Sequence, residues 1–518
     1  MKRLFFSLAF LLLLGTCVRA QRNVVQDGFP VRVNVAQGEL EGIYSTATGV
    51  QRFLGVPFAA PPVGDRRWRA PQPAVRWTGV REAKTFGPRA IQKFLFDDMR
   101  FRSKMSEDCL YLNVWTPAKT TDEPLSILLY FHGGGNVAGS GDELRYDGEK
   151  LAQEGIVVVT ANYRLGVFGF LAHPELSAES GHGSGNYGLM DQVAALDWVR
   201  ANAAAFGGDP ERITIGGESA GSIDCSILMA SPLSRDKIAG VVGQSGAAML
   251  GGMTPRTLLE GEESGRKLVA HMGKKNLADL RRAPTREIYE RVNDFGGGRA
   301  FGIVLDGHLL REKPITTYTN GQQARVPLMV GWTSAETAWV SEPASAEAYR
   351  ADVLKQYGKE KGEQVLKQYP ASDYVASNLA LSSDKWIVLG TWKWADLHTK
   401  TGNAPVFRYQ FDRIRPALTG QTRAQEPPGA GHATDIEYFF NTLNLSDAYA
   451  WGEADEKTAR TMSRYLANFV RTGNPQGEDL TDWPAAKAGT EHPVMHLNET
   501  SGVKVAEKDD RYRLLEQF

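Results

Sequence analysis

The chain has 518 residues, which is long enough for one large domain or for two or three smaller ones. Its composition, 42% hydrophobic and 23% charged, is that of a globular protein with a large core and excludes disorder over any long stretch. The 59 basic and 60 acidic residues give a formal net charge of −1, so no strong field would gather nucleic acid or an anionic membrane.

The first segment, residues 1–20, has the pattern of a secretory signal peptide. Two basic residues precede an apolar run over 4–14 that is too short to cross a bilayer, and Val18-Arg19-Ala20 follows with small residues at 18 and 20. The alternative is a lipoprotein with lipid on Cys17, although the threonine before that cysteine fits poorly. We expect an exported protein, periplasmic or secreted, with a mature chain over 21–518 that forms a single domain and has no transmembrane segment.

Along the mature chain, short apolar runs alternate with segments of helical period, which predicts an α/β fold with a large, mostly parallel central sheet and helices on both faces. The predicted strands are 126–131, 155–160, 212–215, 241–242, 326–330 and 406–411. A helix is predicted over 190–206 and ends at a Gly-Gly-Asp-Pro sequence. Residues 341–397 have helical spacing and predict an inserted helical segment over the mouth of a site. An independent helical domain is the alternative.

The first candidate site feature follows the predicted strand 126–131. There, His132 precedes the glycines 133–135, whose backbone can turn N–H groups into a cavity. A flexible turn would have the same composition. Together with a nucleophile downstream, the glycines predict an oxyanion hole.

That nucleophile is predicted at Ser219, in the sequence Gly-Glu-Ser-Ala-Gly over 217–221. The pentapeptide follows the predicted strand 212–215 and precedes a segment that can be helical, which is the context of a nucleophile elbow. So tight a turn tolerates almost no side chain two positions before and after the serine, and Gly217 and Gly221 meet that need. The pentapeptide alone is a weak signal, but its framing is correct.

A serine nucleophile needs a base, and the base needs an acid that orients it. In α/β folds with a nucleophile elbow, the acid and then the histidine follow the serine along the chain. His432 is the best placed base because it lies on a loop of small residues after the strand 406–411. The other candidates are His398, His492 and His496. Glu336, just after the strand that begins at 326, is the candidate acid, although a glutamate in such a loop is more often solvated.

These features lie within a chain that resembles the type B carboxylesterases, the family of the cholinesterases and microbial p-nitrobenzyl esterases. The resemblance covers nearly the whole mature chain. It is carried by FLGVPFA at 53–59, PPVG at 61–64, SEDCLYLNV at 106–114, NYRLG at 162–166, GNYGLMDQ at 185–192 and FGGDP at 206–210.

The resemblance implies an α/β-hydrolase fold with a Ser219, Glu336 and His432 triad. It also implies that Gly134, Gly135 and Ala220 donate to the oxyanion. Ser245 resembles the family serine that supports the acid and the base from outside the triad, and Glu218 is assigned to the same supporting layer. The implied reaction cleaves a small carboxylic ester to acid and alcohol through an acyl-enzyme, without cofactor or metal.

Three departures from the family pattern limit what the resemblance implies. The family cysteine at Cys109 often pairs with one upstream, but 86–92 contains none, so that loop is expected to be more mobile. Asn136 replaces a common aromatic and is expected to make the wall beside the oxyanion hole more polar. Asp435 replaces a common glutamate, and little effect is expected.

The cholinesterase tryptophan that holds quaternary ammonium is also missing, so choline esters are not the expected substrates. Between residue 92 and Cys109 the chain has only Phe94, Phe96 and Phe101 in its place. Lipase, amidase or lactonase activity on the same fold stays open. A binding protein without catalysis is disfavoured because all three triad residues are present.

Overall fold

The computed structural model describes residues 28–95, 99–120, 124–423, 425–489, 492–505 and 509–518. The predicted signal peptide, the alternative lipidation at Cys17, and Phe96 lie outside the described residues.

The described residues form fifteen strands and sixteen α-helices. The strands are β1 (Phe29–Val35), β2 (Gly38–Tyr44), β3 (Gln51–Pro57), β4 (Val80–Glu82), β5 (Tyr111–Thr116), β6 (Leu125–Phe131), β7 (Val157–Ala161), β8 (Gly208–Glu218), β9 (Gly240–Gln244), β10 (Arg256–Thr257), β11 (Val304–Leu305), β12 (Leu328–Thr333), β13 (Val406–Phe411), β14 (Pro493–Leu497) and β15 (Gly502–Val505). The helices are α1 (Glu149–Ala152), α2 (Gly166–Phe170), α3 (Pro174–Ser180), α4 (Tyr187–Asn202), α5 (Ala220–Leu228), α6 (Leu258–His271), α7 (Leu277–Arg282), α8 (Thr285–Asp294), α9 (Pro314–Thr319), α10 (Ala346–Tyr357), α11 (Lys359–Gln368), α12 (Tyr374–Ser383), α13 (Leu389–Thr401), α14 (Ile436–Phe439), α15 (Glu453–Thr472) and α16 (Asp509–Leu515).

Thirteen of these strands form one mixed sheet in the order β1-β2-β3-β5-β7-β6-β8-β9-β12-β13-β14-β15, with β4 beside β2. The seven strands from β7 to β14 in this order are parallel, and β5 and β15 flank them in antiparallel pairing. The predicted fold class is confirmed: the central sheet is parallel and carries the α/β-hydrolase arrangement. Every predicted strand lies in this sheet.

The central parallel strands β6, β7 and β12 are buried on both faces, which explains their largely apolar sequences. In β6, Ile127 and Leu129 belong to one hydrophobic core, whereas Leu128 and Tyr130 belong to a second core. This alternation follows from the two-residue period of a strand. Helix α4 packs its Leu196 into the first core and α15 packs Leu466 into the second, so helices cover both faces.

Strand β8 is much longer than the predicted 212–215. It begins at Gly208, within the Gly-Asp-Pro sequence that we expected to be only a break after the helix. The polar start escapes a prediction based on apolar runs, because residues 209–212 are partly or fully exposed and continuous burial begins at Ile213. The strand therefore runs directly into Ser219.

Neighbouring strands β12 and β13 are separated in sequence by the helices α10 to α13. Helices α12 and α13 are joined by a π-helical turn, Asp384–Val388. The division of the chain into a signal peptide and one domain with a helical insertion around 341–397 stays a prediction. Within the described ranges, no helix combines the length and the apolarity needed to cross a bilayer.

Candidate active site

Ser219 lies between the end of β8 and the start of α5. Its backbone has φ 52° and ψ −118°, a conformation that non-glycine residues rarely adopt and that marks stored strain. A Cβ on Gly217 would collide with the backbone of Gly221, and one on Gly221 would collide with the carbonyl oxygen of Phe131. The local geometry is that of a nucleophile elbow, and the serine itself is partly exposed.

The three residues Glu336, His432 and Ser245 meet although they are far apart in sequence. His432 Nδ1 lies 2.6 Å from Glu336 Oε2, and Ser245 Oγ donates to Glu336 Oε1 at 2.6 Å. The backbone N–H of Thr333 donates to the same Oε1 at 2.8 Å. Because Glu336 is fully buried and accepts these bonds, its carboxylate is suited to stabilise the positive charge of an imidazolium.

Backbone pairing between the two loops brings the acid to the histidine. Ala335 forms an isolated parallel bridge with Gly431, and the Ala335 N–H donates to the Ala430 carbonyl at 2.9 Å. Ser334 Oγ accepts from the Ala430 N–H at 2.9 Å. Hydrogen bonds therefore join the loop after β12 to the loop after β13 at the residues that flank Glu336 and His432.

Glu218, which precedes the serine, faces the other side of the imidazole. Its Oε1 lies 3.1 Å from His432 Nε2. Burial lowers the pKa of His432, but the charges of Glu218 and Glu336 more than offset it and raise the pKa to about 9. Burial raises the pKa of Glu218 to about 8, although His432 opposes this shift. The histidine is therefore held in a field that favours its imidazolium form.

The glycine loop after β6 contacts the elbow. A Cβ on Gly133 would lie 3.2 Å from Ser219 Cβ, so this loop passes beside the serine. Gly134 and Gly135 have φ of 107° and 64°, conformations that favour glycine. Within the described residues, their N–H groups form no hydrogen bond. Ala220 is the first residue of α5, where N–H groups have no partner in the helix.

The other three candidate histidines have different partners. His398 is buried in α13 with Nε2 2.8 Å from the Val326 carbonyl, and burial lowers its pKa to about 4. His496 lies in β14 with Nδ1 2.6 Å from Asp412. Burial also lowers the pKa of His492.

Two tryptophans that the sequence analysis missed lie against His432. The ring centroid of Trp386 is 4.7 Å from that of His432, and Trp339 is 4.9 Å from Trp386. Trp386 belongs to the π-helical turn, an irregularity that often occurs at functional sites. Trp339 is 62% exposed. Its position three residues after Glu336, in a polar loop, was the available sequence signal.

Two of the family departures have a structural outcome. The Asn136 side chain is buried and donates to Asp224 Oδ1 at 3.0 Å, and the more polar wall stays a prediction. Asp435 is fully buried and accepts from Gln244 Nε2 at 3.1 Å and from the Tyr409 hydroxyl at 3.0 Å. Burial raises the pKa of Asp435 to about 6.

The segment without the upstream cysteine is braced through Gln92. Its amide accepts from the Gly139 N–H and donates to the Gly139 carbonyl, both at 2.8 Å. Cys109 and Cys225 are both buried and free. Among the described residues, no group of three or more His, Cys, Asp and Glu side chains is arranged to hold a metal ion.

Comparison with known proteins finds relatives over nearly the whole described chain. The model of the "Carboxylesterase family" matches residues 30–515. The fumonisin B1 esterase of Sphingopyxis macrogoltabida is 35% identical, over 92% of this chain and 88% of that protein. A cocaine esterase of Homo sapiens is 31% identical, over 90% and 87%. A solved p-nitrobenzyl esterase structure superposes with a TM-score of 0.79 at 28% identity, covering 93% of this chain and 99% of the other.

Proposed function

The chain belongs to the carboxylesterase family and is a carboxylic ester hydrolase, and we propose that it works through Ser219 as nucleophile, His432 as general base and Glu336 as the orienting acid. The observation that carries the proposal is the strained elbow conformation of Ser219 in a fold where Glu336 holds His432 Nδ1 at 2.6 Å. With Nδ1 committed to the acid, Nε2 is the nitrogen left to take up a proton.

The proposed reaction has two steps. Ser219 Oγ attacks the ester carbonyl while His432 Nε2 takes the hydroxyl proton, and the oxyanion is stabilised by the N–H groups of Gly134, Gly135 and Ala220. The C–O bond to the alcohol then breaks, and His432 returns the proton to the leaving oxygen. Water attacks the acyl-enzyme with His432 again as base, which releases the acid and restores Ser219.

Glu218 and Ser245 are proposed to tune the triad without contacting the reacting bond. Ser245 fixes the Glu336 carboxylate by its hydrogen bond of 2.6 Å. Glu218 places a second carboxyl beside His432 Nε2 and thereby favours the imidazolium that forms during attack.

The substrate class is kept broad. The names of similar proteins specify unlike substrates, namely fumonisin B1, cocaine, pyrethroids and fatty acyl-CoA. What these proteins share is hydrolysis, and their names therefore support the reaction but no particular ester as the substrate of this chain. Lipase, amidase and lactonase activities are separated by turnover on esters of increasing acyl length, with anilide and lactone controls.

The triad is tested with two pairs of observations. Ser219→Ala should abolish hydrolysis of a short-chain p-nitrophenyl ester and covalent labelling by a fluorophosphonate. His432→Ala should lower kcat by about 10⁴-fold or more. The control is His496→Ala, which removes another histidine paired with a carboxylate, Asp412, and should keep activity. Labelling of the Ser219→Ala protein, or equal losses in the two histidine variants, would refute the triad.

Export is proposed from the N-terminal pattern over residues 1–20. Expression of the whole chain in a host with a secretory pathway, followed by N-terminal sequencing of the exported enzyme, should give a start near residue 21. A retained N-terminus, or lipid on Cys17, would contradict this cleavage.

A further inference from the structure

Asn136 directly follows the proposed oxyanion donors and is anchored in two ways. Its φ of 58° is in the left-handed region, which asparagine tolerates better than most residues. Its carbonyl accepts from the Gly166 N–H at 2.7 Å. Its buried side chain donates through Nδ2 to Asp224 Oδ1 at 3.0 Å. The backbone that carries Gly134 and Gly135 is therefore tied down one residue after the donors.

Asp224 belongs to the other element of the oxyanion hole. It lies in α5, four residues after Ala220, which is about 6 Å along a rigid helix from the Ala220 N–H. Its Oδ2 accepts from Gln192 Nε2 in α4 at 2.7 Å, and the residue is fully buried. Burial raises the pKa of Asp224 to about 7, although the hydrogen bonds from Asn136 and Gln192 oppose this shift. The carboxyl is thus held from both sides.

The hydrogen bond between Asn136 and Asp224 joins the two elements whose N–H groups must converge on one oxygen. An oxyanion hole works only when its donors lie about 2.7–3.1 Å from the same developing charge. The glycine loop supplies two donors and α5 supplies the third. The position of the loop relative to α5 therefore decides whether all three N–H groups can bind the same oxygen. A link between the loop and the helix fixes that position.

This link is kept at a cost to folding. In the described part of the chain, Asn136 Oδ1 and Gln192 Oε1 are buried and accept no hydrogen bond. Each buried acceptor without a partner costs about 1–3 kcal/mol. Apolar side chains at these positions would avoid this cost. The two amide nitrogens that donate to the Asp224 carboxyl are therefore better explained by a role in positioning the backbone than by a gain in stability.

We propose that Asn136 and Asp224 are positioning residues for the oxyanion hole, whose hydrogen bond sets the distance between the N–H groups of Gly134 and Gly135 and the N–H of Ala220. Neither side chain touches the substrate. The proposal rests on the proposed function, since it requires Ser219 to generate an oxyanion at this place.

The test reverses the polarity of the bond. In Asn136→Asp, the amide donor is lost and two carboxyls face each other, which repel each other when both are ionised. In the double variant Asn136→Asp with Asp224→Asn, the new carboxylate accepts from the new amide, whose oxygen still accepts from Gln192 Nε2. Both bonds are restored with one carboxyl, so a double-mutant cycle isolates this interaction.

The matched control is Gln192→Glu, which also sets a carboxyl against Asp224 but changes α4 and leaves the glycine loop alone. Four quantities are measured for each variant: Tm, the kcat and KM for a p-nitrophenyl ester, and the inhibition constant of a trifluoromethyl ketone. The serine adds to the carbonyl of this ketone and forms a hemiketal oxyanion.

We expect Asn136→Asp to lower kcat and weaken trifluoromethyl ketone binding by about 10-fold or more, with KM changed by less than about 2-fold. Gln192→Glu should lose a similar amount of Tm and keep kcat and inhibitor affinity within about 3-fold of the original chain. The double variant should recover most of both losses.

Equal losses of kcat in Asn136→Asp and Gln192→Glu, or a folded double variant without recovery, would overturn the proposal. If the double variant does not fold, Asn136→Gly decides, because glycine keeps the left-handed backbone and removes only the side chain. If Asn136→Gly keeps the kcat and the inhibitor affinity of the unmodified chain, the proposal is also overturned. Fluorophosphonate labelling of Ser219 in the unmodified chain separates this failure from failure of the triad itself.

Discussion

His432 and Glu218 face each other at 3.1 Å, from Nε2 to Oε1, on the side of the imidazole where the proposed mechanism needs a proton acceptor. Glu336 binds the opposite nitrogen at 2.6 Å. Two buried carboxyls therefore bracket one histidine, and both stabilise its charged form. This arrangement affects catalysis because a general base acts in its neutral form.

The first prediction concerns pH. With the pKa of His432 raised to about 9, kcat/KM should fall as pH drops through that value, because the protonated imidazole cannot accept the serine proton. Glu218→Gln removes one of the two raising charges, so the acidic limb of the kcat/KM profile should move by about one unit to lower pH. The exposed Glu290→Gln is the control and should leave the limb in place. An acidic limb that keeps its pH position in Glu218→Gln, or that moves to higher pH, would contradict an effect of Glu218 on the pKa of His432.

The second prediction concerns the support of Glu336. Ser245→Ala removes the hydrogen bond of 2.6 Å to its carboxylate. A bond to a charged group contributes about 1.5–3 kcal/mol, so kcat should fall by about 10- to 100-fold. Ser226→Ala also deletes a buried hydroxyl, one that within the described residues bonds only to backbone groups, Ile223 O and Ala248 N. Similar kcat losses in both variants would mean that the effect is on folding.

The third prediction concerns the elbow. Gly221, the second residue of α5, has no positive φ, so alanine would be favourable there but for the collision of its Cβ with the Phe131 carbonyl oxygen. Backbone cannot move aside as a side chain can, and we expect Gly221→Ala to lose about 3 kcal/mol or more of stability. Gly252→Ala, where no atom lies within 4 Å of the new Cβ, should stay within about 0.5 kcal/mol. Chemical denaturation of both variants measures this, and equal stability would disprove the collision.

The fourth prediction concerns Trp339, which is 62% exposed and stacks edge-on against Trp386 near His432. Trp339→Ala should change Tm little and raise KM for an aromatic ester by about 3- to 10-fold, since an aromatic contact contributes about 0.5–1.5 kcal/mol. The KM for a methyl ester should change less. The control is Leu259→Ala at another exposed apolar position. An equal KM change for both esters would exclude a contact with the substrate ring.

The sequence by itself was sufficient wherever the cause is local. The need for Gly217 and Gly221 around Ser219 is a steric demand within five residues, and the apolar runs of the parallel strands report burial on both faces. The start of β8 at Gly208 was missed because its polar residues carry no such signal. The family resemblance then implied the acid and the base that local chemistry could only nominate.

Only the tertiary structure decided which distant groups meet. Glu336 lies 91 residues from Ser245 and 96 from His432, and their contact depends on the order of β9, β12 and β13 in the sheet. The same holds for Asn136 and Asp224, 88 residues apart, where the sequence suggested a polar wall and the fold supplied a buried partner. A side chain's type sets what it can bind, but sheet topology sets what lies within hydrogen-bond reach.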